Sequence, residues 1–234
     1  MTTTRLAICS LLLVAACGDD GGTTGGAADA PIANPTVTVT GKAEVVGLSG
    51  RTPEADVMIA AYKEGESTPV AMTMSGADGS YSIVITTNGV ALDGYLLAKK
   101  AGLKDTYLYP PAPIAADIPN APVLMLSPGT FDAAGTVAQA PQDPGMGFIA
   151  MMVIDAANMP VGGATISSTP TGTIRYNADG LPNKDATVTE ADGIAYVFNV
   201  APGTVTVNAA KAGATFHGHP VNARADQLTT TLIQ

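Results

Sequence analysis

Apolar and polar positions alternate along most of the chain, as they do in strands that are buried on one face. The alternation is clear over residues 36–40, 81–86 and 204–207, where valine, isoleucine or tyrosine occupies every second position. Glycine, proline, asparagine and aspartate separate these runs, and together the two features predict short β-strands. The one helix candidate spans residues 130–139, and we expect it to be short because it contains Gly135.

The strands belong to two copies of one series of motifs. Asp78-Gly79 recurs 114 residues later as Asp192-Gly193, and Lys100-Ala101-Gly102 recurs 111 residues later as Lys211-Ala212-Gly213. The motifs keep their order, and the second copy carries additional residues within 167–190. The sequence therefore contains an internal repeat with two copies.

Each copy is long enough to form a small β-sandwich. The repeat predicts one domain at residues 35–127 and a second at 145–234, with a connector at 128–144. Short strands that are separated by frequent turns are typical of antiparallel sandwiches. The predicted fold class is therefore all-β, with two tandem antiparallel β-sandwiches.

Both copies resemble the carboxypeptidase regulatory-like domain, a transthyretin-like and broadly Ig-like sandwich. The second copy carries the resemblance at Gly163-Ala164-Thr165-Ile166, Thr189, Asp192-Gly193, Pro202-Gly203 and Gly213, and the first copy at Asp78-Gly79-Ser80-Tyr81 and Gly89. The first copy has Asn88 where the family usually has proline, and the second has Ala195 where the family usually has an aromatic residue. The resemblance implies seven or eight strands per copy and a non-catalytic role.

The N-terminus has the features of an export signal with an anchor. Residues 6–16 form an apolar run, which is too short to span a membrane, and residues 1–16 are predicted to be a signal peptide. Val14-Ala15-Ala16-Cys17 resembles the bacterial lipobox, which implies that Cys17 is the first mature residue and carries diacylglycerol and an acyl chain such as palmitate. The alternative is an ordinary signal peptide that is cut nearby.

The residues after Cys17 predict a flexible tether at 17–34, because they are mostly glycine, alanine, aspartate and threonine. Gly18, rather than aspartate, follows the cysteine, and in lipoproteins this favours the outer membrane. Cys9 would leave with the signal peptide, so the mature chain would have neither a free thiol nor a disulfide.

Charge excludes one class of partner. The chain has 11 Lys and Arg against 20 Asp and Glu, a net charge of −9. Nucleic-acid binding needs clustered basic residues, so nucleic acid is not an expected partner. The densest basic cluster is Lys99, Lys100 and Lys104, which we interpret as a solvated surface.

Two histidines form the weak candidate for a metal site. His217 and His219 are two residues apart, so on a strand both rings would lie on one face. Zinc sites need three or four ligands, and the alternative is that the imidazoles are exposed or cap a turn. A serine hydrolase is not favoured, because the G-x-S-x-G motif is absent.

Two further segments are candidates for binding. Tyr107 and Tyr109 alternate just before Pro110 and could present an aromatic face, or they could fill the gap between the domains. The segment 177–185 is rich in Asn and Asp and could bind calcium, but it lacks the full loop motif, and a simple Asx turn is the alternative.

These features predict a lipid-anchored protein of the cell envelope, without a cofactor and without catalysis of its own. Its predicted partners are the membrane, through lipid on Cys17, and an envelope protein or glycan. One alternative is a carbohydrate- or peptide-binding module. The other is a metal-assisted hydrolase that uses His217 and His219.

Overall fold

The computed structural model describes residues 33–47 and 50–234. The predicted signal peptide (1–16), the predicted lipid attachment site Cys17 and most of the predicted tether lie outside the described residues. Within the described ranges, no helix is both long and apolar enough to cross a membrane.

The end of the predicted tether is held against the folded body. Ala33 is buried and its N–H donates to the Gly89 carbonyl at 3.0 Å. The N–H of Asn34 donates to the Ala115 carbonyl at 3.0 Å, and the Asn34 carbonyl accepts a hydrogen bond from the Thr87 hydroxyl. The body therefore includes two residues that the sequence assigns to the tether.

Sixteen strands and one helix make up the described part of the chain. The first copy contains β1 (Thr36–Gly47), β2 (Gly50–Pro53), β3 (Met58–Lys63), β4 (Ala71–Met74), β5 (Ser80–Thr86), β6 (Gly94–Lys99), β7 (Thr106–Tyr109) and β8 (Val123–Met125). The connector contains α1 (Pro128–Val137). The second copy contains β9 (Gly147–Val153), β10 (Thr165–Thr169), β11 (Thr173–Ala178), β12 (Leu181–Asn183), β13 (Ile194–Val200), β14 (Gly203–Ala210), β15 (His219–Ala223) and β16 (Leu228–Ile233).

The strands form three sheets, and the largest runs through both copies. β2, β1 and β5 form one sheet, with β8 parallel to β1, and β10, β14 and β15 form another. The nine-stranded sheet has the order β12-β11-β13-β9-β16-β7-β6-β3-β4. Its central pair, β16 and β7, is parallel and aligns Leu228 with Thr106 and Thr231 with Tyr109. The all-β sandwich fold is confirmed, and the two copies share one sheet, which the sequence did not predict.

Two of the three hydrophobic cores of the described residues lie on opposite faces of the nine-stranded sheet. Leu108 packs against the first core, together with residues of β1, β5 and β8. Its neighbours Tyr107 and Tyr109 belong to the second core, together with residues of β10, β14 and β15. Successive residues of a strand point to opposite faces, so the four-stranded sheet covers one face and the three-stranded sheet covers the other. The predicted domain boundaries at 127 and 145 stay a prediction. The β7–β16 ladder joins a strand of the first copy to a strand of the second.

The structure repeats the same turn in both copies, which confirms the predicted correspondence at Asp78-Gly79 and Asp192-Gly193. The Gly79 carbonyl accepts from the Ala43 N–H at 2.8 Å, and the Gly193 carbonyl accepts from the Val153 N–H at 2.9 Å. Both glycines have positive φ, 76° and 69°. A Cβ would lie 2.6 Å from the Ala43 oxygen in the first copy and 2.5 Å from the Val153 oxygen in the second. Glycine is therefore required at both positions.

The predicted helix is present but begins two residues earlier than predicted. Ser127 is the N-cap, and its hydroxyl accepts from the Thr130 N–H at 3.1 Å. Pro128 follows at the first helical position, where its fixed φ suits a helix. Phe131 packs against Phe148 of β9, with ring centroids 5.7 Å apart. The helix thus covers part of the shared sheet on the second copy.

Candidate functional site at the seam between the copies

Four tyrosines and one arginine lie where the two copies meet, and we call this group the tyrosine–arginine cluster. Tyr95 of β6 is at its centre. The centroid of its ring lies 5.4 Å from that of Tyr62, 5.6 Å from that of Tyr107 and 5.2 Å from that of Tyr109. The guanidinium of Arg224, which follows β15, lies 3.7 Å from the Tyr107 ring centroid and 4.7 Å from that of Tyr95.

Arg224 connects the second copy to the first through polar contacts as well. Its Nη1 donates to the Tyr109 hydroxyl at 3.2 Å and to the Asn222 carbonyl at 3.0 Å. Burial raises the pKa of Tyr109 to about 12, although the charge of Arg224 opposes the shift. Burial also raises the pKa of Tyr107, against the same opposing charge. Both phenols are therefore neutral at physiological pH, and the cation faces neutral aromatic rings.

The contacts of Tyr107 and Tyr109 match the alternative in which they fill the gap between the copies. Tyr109 is 5% exposed and belongs to the second core, whereas Tyr107 is half-buried. Arg224 occupies the aromatic face of Tyr107. Ligand binding by these two residues stays a prediction. Their rings do not form an open surface on which a ligand could stack.

A cleft of about 310 Å³ opens beside the cluster. Its walls include Glu64 and Asp93 from the first copy and His219 and Asn222 from the second, with Tyr109 and residues 110–113 along one side. The Asn222 side-chain amide donates to Glu64 at 2.5 Å, and the Tyr109 hydroxyl lies 3.4 Å from the other carboxylate oxygen of Glu64. The cleft therefore combines two carboxylates with an apolar wall of proline and tyrosine.

The two histidines do not form a pair. β15 begins at His219, so His217 lies outside the strand and the condition for a shared strand face is not met. Metal binding by these two residues stays a prediction. His217 is exposed and its N–H donates to the Gln234 carbonyl at 3.0 Å. His219 is half-buried in the cleft, where burial lowers its pKa and the charge of Asp93 opposes the shift. In the part of the chain that the structure describes, no three His, Cys, Asp or Glu residues group in a way that could hold a metal ion.

The insertion of the second copy uses its polar residues to stabilise itself. Asn177 is buried, donates to the Asp192 carboxylate at 2.6 Å and accepts from the Tyr196 hydroxyl at 2.7 Å. Asp179 has a φ of 54° in the turn between β11 and β12, and Asp185 pairs with Lys184. The Asn183 side-chain oxygen accepts from the Asp185 N–H at 2.7 Å, and this Asx turn matches the alternative interpretation of the segment.

Sequence reasoning missed Arg224, Glu64 and Tyr95. Arg224 and Tyr109 are 115 residues apart, and Asn222 and Glu64 are 158 residues apart. No local spacing connects such residues. The only available signal was the alternation of Tyr107 and Tyr109, which marked one side of the seam.

No protein-family model matches the chain, and no curated protein sequence matches it. Among solved structures, the TIE protein of Bacillus anthracis is 14% identical, with 85% of this chain and 34% of that chain covered and a TM-score of 0.26. The chain thus spans about a third of the length of that protein. The shaft pilin SpaA from Lactobacillus rhamnosus GG is 14% identical over 85% of this chain and 97% of that chain, with a TM-score of 0.26. The minor pilin GBS52 from Streptococcus agalactiae is 10% identical over 84% and 94%, with a TM-score of 0.27. Similarity at these TM-scores is too low to identify a function.

Proposed function

We propose that the chain is an exported protein of the cell envelope that is anchored by lipid on Cys17 and has a structural or binding role without catalysis of its own. The apolar run and the Val14-Ala15-Ala16-Cys17 motif support the anchor. The shared nine-stranded sheet supports the structural role, and it is the observation that carries this proposal.

A shared sheet gives a tandem protein mechanical continuity. Separate domains on a linker reorient freely, whereas two copies joined by a backbone ladder and a packed aromatic seam must move together. Here the ladder runs from Thr106 to Tyr109 on one side and from Leu228 to Thr231 on the other. The tyrosine–arginine cluster packs against one face of the sheet at this ladder. Such a body suits a rigid spacer or support that follows the predicted tether.

The intact mass of the protein from a detergent-extracted membrane fraction tests the anchor. We expect a chain that begins at Cys17 and is heavier by a diacylglyceryl group and an acyl chain. A Cys17→Ala variant should lack this added mass. An unmodified, soluble wild-type chain that begins elsewhere would refute the anchor.

The cleft favours a second candidate function, a binding module for peptides or glycans that carry a cationic group. Glu64 and Asp93 would attract an ammonium or guanidinium group, while residues 110–113 would contact its apolar part. Binding to peptide and amino-sugar arrays tests this candidate with Asp93→Asn, and Asp132→Asn on α1 is a matched control. We expect the first variant alone to lose retention, and equal retention by both variants would contradict the assignment.

A further inference from the structure

We propose that Met58, Met72 and Met74, here called the methionine cluster, form a binding site for the soft metal ion Cu(I). The three residues lie on β3 and β4, at one end of the nine-stranded sheet. Their thioether sulfurs would be the ligands of the ion. This inference goes beyond the proposed function, which involves no metal.

The strand register places the methionine cluster on one face of the sheet. Met58 pairs directly with Met74, and Met72 lies two residues before Met74 on β4. Successive residues of a strand point to opposite faces, and Ile59, which follows Met58, belongs to the first core. The three methionine side chains therefore all point away from that core.

The spacing of the three positions suits a single ion. The Ser75 N–H donates to the Val57 carbonyl at 3.0 Å, and hydrogen-bonded pairs alternate with non-hydrogen-bonded pairs along an antiparallel ladder. The next pair, Met58 with Met74, is therefore non-hydrogen-bonded, and the Cβ atoms of such a pair are about 4.5–5.5 Å apart. Met72 is about 7 Å from Met74 along the strand. Methionine side chains are long and flexible, so three sulfurs at these positions can converge on one point.

The burial of a neighbouring alanine agrees with this convergence. Ala60 lies on the same face, opposite Met72, and is fully buried, although it belongs to none of the three cores of the described residues. The longer side chains that flank it on this face are those of Met58, Met72, Tyr62 and Leu97. Two methionine side chains that lean over Ala60 would produce this burial, and they would bring their sulfurs close together.

The ligand chemistry selects the metal. Thioether sulfur favours Cu(I), whereas carboxylate and carbonyl oxygens favour magnesium, calcium and manganese. Among the described residues, no group of three His, Cys, Asp or Glu side chains adds harder ligands at this face. Lys99, which pairs with Met58 across β3 and β6, forms a salt bridge with Asp105 at 2.7 Å, and this offsets its charge.

The exposure of the sulfurs makes the site accessible. Met72 is 61% exposed and Met74 is 53% exposed. An ion held by these side chains would face solvent on one side, so a competing ligand could reach it. The arrangement therefore suits reversible binding of the ion rather than permanent burial of a cofactor.

Titration of the full chain in detergent with Ag(I) tests the site. Ag(I) has the charge and the closed d shell of Cu(I) but does not oxidise in air. Cys9→Ala/Cys17→Ala provides a background without competing thiols. With 13C-labelled methionine methyl groups, we expect one Ag(I) per chain to shift the NMR signals of the methionine cluster. The signal of Met159, another exposed methionine, should stay unchanged.

Leucine variants separate sulfur ligation from apolar contact. Met72→Leu and Met74→Leu keep the size and apolar character of the side chain but remove the sulfur. Each should weaken Ag(I) binding about tenfold or more, since even residues that only support a metal ligand contribute about that much. Met159→Leu is the matched control and should bind as the parent chain does. A thioether has no proton to lose, so affinity should be equal at about pH 5.5 and about pH 7.5.

Three results would overturn the proposal. The first is a chain that binds no Ag(I). The second is equal affinity in Met74→Leu and Met159→Leu, or a methyl shift at Met159 as large as those of the methionine cluster, because the sulfurs would then act independently. The third is equally strong binding of Zn(II) to the same methyl groups, because the site would not select a soft ion.

Discussion

Replacing Arg224 by alanine should destabilise the whole body rather than one copy alone. The side chain comes from the second copy, and its aromatic partners, Tyr95, Tyr107 and Tyr109, all come from the first. The substitution removes these cation–π contacts and the hydrogen bond to the Tyr109 hydroxyl. It also removes the bond from the guanidinium to the Asn222 carbonyl.

The expected loss follows from these contacts. A cation–π interaction contributes about 0.5–2 kcal/mol, depending on desolvation. A hydrogen bond with one charged partner contributes about 1.5–3 kcal/mol. Arg224 is half-buried, so these values do not add in full. We expect the free energy of unfolding to fall by about 2–4 kcal/mol, and by less for Arg224→Lys, which keeps the charge but loses the planar group.

Urea unfolding followed by far-ultraviolet circular dichroism measures this effect. Arg51→Ala is the control, because Arg51 pairs with Glu44 at 3.7 Å and its side chain is 45% exposed. An exposed pair of this kind contributes about 1 kcal/mol or less. If Arg224→Ala and Arg51→Ala lowered stability equally, the cluster would not hold the two copies together as described here.

The repeated turn and the buried tyrosines give two more predictions. Gly79→Ala and Gly193→Ala should each lower the free energy of unfolding by about 2 kcal/mol or more, because positive φ and a close carbonyl oxygen act together. Gly102→Ala, where φ is positive but the surrounding space is open, should lower it by about 1 kcal/mol. Equal thermal shifts for all three variants would contradict the packing argument. Burial raises the pKa of Tyr109 and Tyr196 to about 12, above the value of about 10 for an unfolded chain. Their contribution to stability should therefore be complete below about pH 10 and be lost as the pH rises towards about 12. Absorbance titration at alkaline pH measures this, and normal ionisation of both phenols while the protein stays folded would refute it.

Local sequence signals predicted elements of the fold well. The alternation at residues 36–40 and 81–86 corresponds to β1 and β5, and the predicted helix differs from α1 by two residues at each end. The turn glycines were found because an Asp-Gly pair supplies the positive φ that a tight turn needs, whereas the close approach of the Ala43 and Val153 oxygens comes from strands that are distant in sequence. The local signals need no knowledge of the rest of the chain.

The candidate site was only partly accessible to sequence reasoning. Tyr107 and Tyr109 were found because they alternate on one strand, but Arg224 comes from the other copy and no spacing connects it to them. The argument that His217 and His219 share a face holds only on a strand, and β15 begins at His219. Side-chain contacts between distant segments depend on how the sheets pack.

The sequence by itself determined the strands, the turns and the two-copy repeat, because period-two alternation and backbone requirements of glycine are local properties. Only the tertiary structure decided that the copies share one sheet. Edge pairing of β7 with β16 depends on which edges the folded sandwiches leave open and on how closely they approach. The same packing decided that the tyrosines lie under Arg224.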